Sequence, residues 1–481
     1  MPFPFYITCL VILVLGAMAW EARWKGWGIP MGMVLATVGA WYVGDALYND
    51  YKDYRLTFGD ATLSEAWWQV VWFLITFAGL VPLFHGWMNG RIAGRKSHVM
   101  AYLEHERLRH PEVQRRIDAV AKGLFAAWFA LMLIALIQVQ GDFIGLFAPY
   151  LGGRADPWAR GQIGGGFSAF ISLAAYLQVF LTAACGVMAA LSLNPRTRNM
   201  ALMVCVLALP YYIFDRTRNT MLATVLPGLL ALVFMRLRVS WLAKFGCLAL
   251  AFLVVNFWFT FVMANRTGSA ISTAFASGGN QEAMEDTRHE GLNMFEELAW
   301  IRHFTKIGVY MPNGGQRYLA ELANPIPRAI WKNKPTIGLD YAVARGQAAI
   351  GPSGEVTATI STGMIGQGVV NFGSICGPLA AAALMALWVA ILARQDLQGA
   401  NPGRIILYGS GLILTFNLGR DITLLVMYPF FFGLGLFWIW ERSGGGRLGQ
   451  VRKHRAAGGR GAGSPRALKQ RGRMAPRNPS S

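Results

Sequence analysis

The sequence predicts an all-α, polytopic integral membrane protein, and three observations carry that prediction. The chain has 481 residues, 54% apolar and only 14% charged, with a mean hydropathy of +0.38. A soluble chain is about one quarter charged, and a single core of this length cannot hide so much apolar surface. The apolar residues also fall in runs close to the ~20 that a helix needs to cross a bilayer core about 30 Å thick. Finally, the formal net charge of +19 is segregated between the runs and into the last 40 residues, where 11 Lys/Arg stand without an acid. A soluble enzyme, a disordered chain and a nucleic-acid-binding module are thereby excluded, so nucleic acid is not an expected partner.

Eleven spans are predicted, over about 4–20, 28–47, 67–88, 123–140, 167–192, 199–215, 218–235, 245–263, 373–393, 404–418 and 420–440. The first run has no basic stretch ahead of it and is read as a retained helix. Trp67, Trp68, Trp72, Trp87, Trp241, Trp258, Trp438 and Trp440 lie near run ends, where an aromatic belt belongs. The segment 89–122 carries 8 basic residues. Its part 101–122 is amphipathic and interrupted by Pro111, the pattern of a surface helix pair on the inner leaflet.

Placing 89–122 in the cytoplasm puts 21–27, 193–198, 236–244, 394–403 and the tail on the same side. With Arg404 counted in its loop, that side then holds 28 of the 44 basic residues, as positive loops inside require. The N-terminus faces out and the C-terminus in. The organisation is an N-terminal bundle of eight spans (1–263), a large outer loop (264–372), C-terminal helices (373–440) and a basic, Gly/Arg/Pro-rich tail (441–481) read as disordered. The five cysteines lie in apolar stretches without CxxC spacing, so neither a disulfide framework nor a zinc site is expected.

The 16 basic residues left outside carry the functional signal. Arg216 and Arg218 stand in a tight turn, Phe214-Asp-Arg-Thr-Arg-Asn219, and Arg420 in another, Leu418-Gly-Arg-Asp421. Turns this short hold their guanidiniums at the membrane boundary or point them into the bundle. Charge at that depth is expensive and marks a site, although snorkelling and pairing with Asp215 and Asp421 would also accommodate these arginines. The planar fork of arginine matches phosphate oxygens and keeps its charge at any local dielectric. A ligand with a lipid tail, a diphosphate and a polar head would fit such a rim.

In the outer loop, Arg266 and the stretch Asn324-Pro-Ile-Pro-Arg-Ala-Ile-Trp-Lys-Asn-Lys-Pro335 add Arg328, Lys332 and Lys334, the last three presented from a proline-stiffened backbone. The stretch 357–372 has helical spacing but is too polar to span, and is read as an interfacial or re-entrant helix. The segment 282–306 reads as one or two amphipathic helices.

The string PRAIWKNKP (327–335), followed by a polar, Gly-rich stretch ending in NFGSICG (371–377) and running into a span, resembles the bacterial oligosaccharide repeat-unit polymerases of the O-antigen polymerase and ligase group. The likeness takes in the outer RxR turn (Arg216, Arg218) and the late Arg420-Asp421 pair, and covers the C-terminal 60% or so of the chain. It implies an all-helical, metal-independent glycosyltransferase of the bacterial inner membrane, with no cofactor. Its substrates would be undecaprenyl-diphosphate-linked glycans, as donor and as acceptor, beside membrane lipid, a flippase and a chain-length regulator as partners.

Such a reaction requires stabilisation of the leaving diphosphate, alignment of two substrates and removal of one proton. Arg328 and Arg420 are the expected catalytic arginines. Arg216, Arg218, Arg266, Lys332 and Lys334 are expected to bind the diphosphate, with Asp215 and Asp421 supporting. The outer candidates for the base are His303, His289, Glu321, Asp340 and Glu355, and His303 is preferred because basic neighbours keep an imidazole neutral. No acidic metal motif is seen in the outer loop, and no metal is expected. A ligase using the same donor is the first alternative. A lipid-linked sugar transporter is the second, disfavoured by the lack of inverted repeats.

Overall fold

The computed structural model describes residues 1–103, 107–149, 155–158, 171, 173–213, 218–240, 242–244, 246–251, 253–254, 293–324, 326, 330–331, 335, 338–346, 349–350, 356–358, 360–399 and 401–442. For 107, 213, 218–219, 339, 349–350 and 356–358 it gives the backbone alone.

The helices are α1 (Phe3–Glu21), α2 (Gly28–Val38), α3 (Asp45–Tyr48), α4 (Tyr51–Asn89), α5 (His98–Leu103), α6 (Pro111–Gln138), α7 (Phe143–Phe147), α8 (Ala174–Leu191), α9 (Pro195–Ile213) and α10 (Arg218–Leu230). After them come α11 (Met294–Lys306), α12 (Gln316–Ala323), α13 (Leu339–Ala344), α14 (Met364–Leu397), α15 (Pro402–Leu418) and α16 (Leu424–Arg442). Two short strands, β1 (Ala349–Ile350) and β2 (Val356–Ala358), pair antiparallel between α13 and α14. The described residues are thus predominantly helical, and the chain is an α-class, membrane-embedded protein. Among the described residues six helices are long and apolar enough to cross a bilayer: Phe3–Lys25, Tyr51–Ile92, Pro111–Gln138, Ala174–Leu191, Met364–Leu397 and Leu424–Arg442.

Helix also covers four more of the predicted spans. Residues 28–47 fold as α2, a π-helical stretch Gly39–Gly44 and α3, and 218–235 as α10 with a second π-helical stretch, Ala231–Arg236. Residues 199–215 and 404–418 correspond to α9 and α15. The predicted span 245–263 lies largely outside the described residues. One boundary moves for a clear reason. Pro111 does not end a surface helix but occupies the first turn of α6, where its missing N–H is not needed and its fixed φ suits a helix start. The amphipathic stretch and the span that follows are therefore one 28-residue helix.

The contacts separate the chain into residues 1–434 and 435–481. In the second unit the Arg442 guanidinium lies 3.8 Å over the Trp438 ring. In the first, α14 packs along α4, α8 takes α9 and α10 on its surface, and α15 rests on α14, α2 and α10. Where α8 crosses α10, Gly186 meets Gly228: a Cβ at Gly228 would come within 2.9 Å of the Gly186 backbone. Small residues at such a crossing let two backbones touch, the usual means of packing helices in lipid. Trp67, fully buried on α4, stacks on Phe295 of α11 with ring centroids 4.1 Å apart.

Two sets of polar contacts mark two ends of the helices. At one, the Ser97 amide donates to the Trp24 carbonyl (2.9 Å), the Val99 amide to Asp396 (2.8 Å), the Leu193 amide to Gln114 (2.8 Å) and the Asn194 side chain to Asp118 (3.2 Å). The loops 21–27, 89–122, 193–198 and 394–403, grouped on one side by their charge, thus meet one another. At the other end, Asp45 accepts from the amides of Phe295 (2.8 Å) and Glu296 (3.0 Å). It caps α11 from outside that helix and satisfies N–H groups that have no partner within the helix.

Candidate functional site

The site is built on a chain reversal. Within α14, Gly373 has φ 79° and ψ −176°, a conformation open to glycine and costly to other residues. Gly368 and Gly377 are nine residues apart and would lie about 13 Å apart in a straight helix. Here a Cβ on Gly368 would lie 2.1 Å from the Gly377 carbonyl oxygen. Residues 364–372 therefore form a short helix folded back on the long one, and only 374–397 has the length to span. Of the stretch 357–372 read from sequence as an interfacial or re-entrant helix, residues 364–372 form this folded-back arm, while 357–358 belong to β2. Small residues are required because the two arms touch backbone to backbone.

The carbonyls left free at the reversal are taken by the next loop. The Asn313 amide donates to the Val370 carbonyl (3.0 Å) and the Gly315 amide to that of Asn371 (3.2 Å), which provides for the orphan acceptors of a helix end. Gly314 and Gly315, at φ 64° and 93°, then turn the chain into α12. Asn371 is fully buried and also accepts from the Tyr318 amide (3.3 Å). The re-entrant helix is in this way the platform on which α12 sits.

Its other end is fixed to the turn between α15 and α16. The Met364 amide donates to the Gly419 carbonyl (3.0 Å), and the buried Gln367 side chain pairs with both the amide (2.7 Å) and the carbonyl (3.2 Å) of Ile422. The hydroxyl oxygen of Tyr42, from the early part of the chain, accepts from the Ile365 amide (2.9 Å). The turn thereby presents Arg420 and Asp421 in a defined place. Arg420 donates to the Ser361 hydroxyl (3.1 Å). Asp421 accepts from the amide (3.1 Å) and hydroxyl (3.0 Å) of Thr362 and from Arg317 (3.1 Å).

Arg317 and Glu321 are the centre of the arrangement. They stand four residues apart on α12, hence on one face of the helix, and are 3% and 5% exposed. One nitrogen of Arg317, Nη2, serves Asp421 and the Ile360 carbonyl (3.5 Å), while its buried Nε and Nη1 have no acceptor. Gly338 lies flat against this guanidinium; a Cβ there would sit 3.4 Å from Arg317 Cζ. Glu321 accepts from the Thr423 hydroxyl. Burial pushes its carboxyl up to about 7 and the Asp421 charge adds to the rise, against the opposing pull of Thr423 and Arg317. Asp340 differs: burial would raise it, but donors from Tyr310 (2.6 Å) and Asn313 (3.0 Å) outweigh this and hold it below the ordinary carboxylate range.

A second cluster closes the neighbouring α11. Arg345 reaches Glu296 and Glu297, each at 3.5 Å, and lies 4.2 Å over the Trp300 ring. Glu297 also accepts from Tyr341. Arg302 pairs with Glu65 (2.6 Å). These pairs tie α11 to α4 and α13, although the buried Nε of Arg345 has no acceptor among the described residues.

Of the residues singled out from sequence, the structure brings Arg420 and Asp421 together with the re-entrant helix and α12. His303 has another setting: its ring packs among Phe58, Trp300 and Phe304 on α11, a packing role rather than membership of this cluster. Arg218 opens α10. Asp215, Arg216, Arg266, Arg328, Lys332 and Lys334 lie outside the described residues, as do His289 and Glu355. The described residues that flank the PRAIWKNKP string do lie at α12, since the Ile326 amide donates to the Ala323 carbonyl (2.9 Å) and Gly338 covers Arg317.

Arg317 is the residue the sequence did not single out. Its signal was an Arg and a Glu at i and i+4 with Ala320 and Ala323 on the same face, an apolar-sized face that turns inward. Among the described residues no group of three or more His, Cys, Asp or Glu is placed to hold a metal ion. Chemically, the cluster offers two unpaired guanidinium donors, a second arginine and a carboxylate able to change protonation near neutral pH. Compared with known proteins, the chain matches no family model, no curated protein and no solved structure.

Proposed function

We propose that the protein is a membrane glycosyltransferase that polymerises oligosaccharide repeat units carried on undecaprenyl diphosphate. The observation that carries this reading is Arg317, a cation 3% exposed with two guanidinium nitrogens, Nε and Nη1, that have no acceptor among the described residues. A buried donor left unpaired costs about 1–3 kcal/mol, and more when charged, so the arrangement favours an anion brought from outside the chain. A diphosphate supplies oxygens in the geometry a guanidinium fork matches.

The reaction follows from these parts. Arg317 and Arg420 neutralise the diphosphate as it leaves the donor sugar, aided by the outer cations Arg216, Arg218, Arg266, Arg328, Lys332 and Lys334. Asp421 orients Arg317 through Oδ1, which also accepts from the amide and hydroxyl of Thr362, and we assign it that positioning role. The chain crosses the inner membrane eleven times with its N-terminus in the periplasm and its C-terminus in the cytoplasm. The gathering of the basic loops at one end and of the arginine cluster with α11 and α12 at the other supports that orientation, which places transfer on the periplasmic side.

The test is deletion of the gene followed by gel analysis of surface and secreted polysaccharide. Loss of polymer, with single repeat units on the acceptor, is expected. Complementation with Arg317→Ala or Arg420→Ala should leave chain extension at least 100-fold lower at normal membrane abundance. Wild-type product lengths from both variants would overturn the reading.

A further inference from the structure

Resting on the glycan-transfer reading, we propose that Glu321 is the catalytic base that accepts the proton of the acceptor hydroxyl. In the step, the acceptor sugar oxygen attacks the anomeric carbon of the donor and forms the new glycosidic bond. The bond from that carbon to the diphosphate oxygen breaks, and its electron pair leaves with the diphosphate. The hydroxyl proton passes to the Glu321 carboxylate, so charge and atoms balance without a further reactant.

Placement selects this residue. Glu321 projects from the same face of α12 as Arg317, one turn away, so a base and a phosphate-binding cation share one rigid support. Its helix rests on the re-entrant arm through the Tyr318 amide and Asn371 (3.3 Å), and its carboxylate touches the α15–α16 turn through Thr423. The other acids nearby are committed elsewhere. Asp421 is ion-paired with Arg317 and takes all three of its donors on Oδ1, Asp340 is held by Tyr310 and Asn313, and Glu297 by Tyr341 and Arg345. His303 packs among aromatic rings.

The groups facing Glu321 also set when it is a base. Arg317 on its own helix and Thr423 with the Leu424 amide on the turn favour the carboxylate, while Asp421 and burial favour the acid. Tyr318 on α12 and Tyr428 on α16 complete the surroundings. The balance lies at about 7, where a general base is most effective at physiological pH.

The experiment uses the full chain in lipid nanodiscs, with lipid-linked repeat units extracted from the gene-deleted host and undecaprenyl diphosphate as the binding probe. For the wild type, the extension rate should fall tenfold per pH unit below about pH 7. Glu321→Gln should slow extension about 100-fold, abolish that acid limb and bind undecaprenyl diphosphate within twofold of wild type. Thr423→Val removes a hydrogen bond to the carboxylate and should move the limb to higher pH, a shift that a purely structural role would not give. Extension by Glu321→Gln within tenfold of wild type, or an unmoved limb in Thr423→Val, overturns the assignment of Glu321 alone. A wild type that extends nothing, together with Arg317→Ala binding the probe as tightly as wild type, overturns the transfer reading beneath it.

Discussion

At the scale of residues, the protein places a small number of charges where burial changes their chemistry. Glu321 makes the point in thermodynamic form. Its folded carboxyl titrates near 7 against an ordinary 4.5, so the folded state holds the proton more tightly than the unfolded one. That contribution is complete below about pH 4.5 and is lost as the pH rises through 7, amounting to about 3 kcal/mol across the window. Thermal unfolding in detergent from pH 4.5 to 8 should show wild-type stability declining over this range, and Glu321→Gln should flatten the decline. Arg420 and Asp421 were legible in the sequence because a charged pair in a two-residue turn between apolar runs has few places to go. Arg317 was not, since an Arg and a Glu four apart on a short helix ordinarily describe a solvated surface pair. Burial, which local sequence does not encode, is what separates the two cases. His303 shows the converse, because its basic neighbours suggested a neutral imidazole fit to act as a base while Phe58, from a distant segment, supplies its packing.

At the scale of elements, apolar length made most helices legible, and small-residue content pointed to a helix within 357–372, of which residues 364–372 form the folded-back arm. The position of the reversal was not legible, because Gly366, Gly368, Gly373 and Gly377 look alike along the chain. Only Gly373 takes a positive φ, and only the pair Gly368 and Gly377 bring backbone to backbone. Pro111 misled for a related reason: proline marks a break inside a helix and a beginning at its first turn, and periodicity alone does not decide between them. The reversal carries a sharp test. A Cβ at Gly377 would lie 2.5 Å from the Val369 backbone, atoms that cannot rotate away. Gly377→Ala should lower stability by roughly 1–3 kcal/mol or more, read as a fall in thermal midpoint and in folded protein recovered from membranes. The equally small change Gly435→Ala, where nothing lies within 4 Å, should leave both unchanged.

At the scale of the whole molecule, charge patterning and tertiary contact agree. The loops rich in Lys and Arg are joined through Trp24–Ser97, Val99–Asp396 and Gln114–Leu193, far along the sequence from one another. In a cysteine-free background, Arg95→Cys should be labelled by a membrane-impermeant thiol reagent only after permeabilisation, and Lys306→Cys in intact cells. Labelling of both positions in intact cells would refute the topology. Six of the eleven predicted spans correspond, among the described residues, to helices long and apolar enough to cross a bilayer, while the predicted span 28–47 is divided between α2, a π-helical stretch and α3, none of which has that length.

The capping of α11 by Asp45 has a consequence in time. Asp45 and the amide of Phe295 are separated by 250 positions. At a synthesis rate of 5–20 residues per second the ribosome needs roughly 12–50 s to cover that distance. During this interval the carboxylate has its local partners, Asn49 and Tyr54 (2.9 Å), but not the two amides that complete its shell. The N-terminal helices are therefore inserted first with one acceptor unfinished, and the late-made half of the chain closes the circuit.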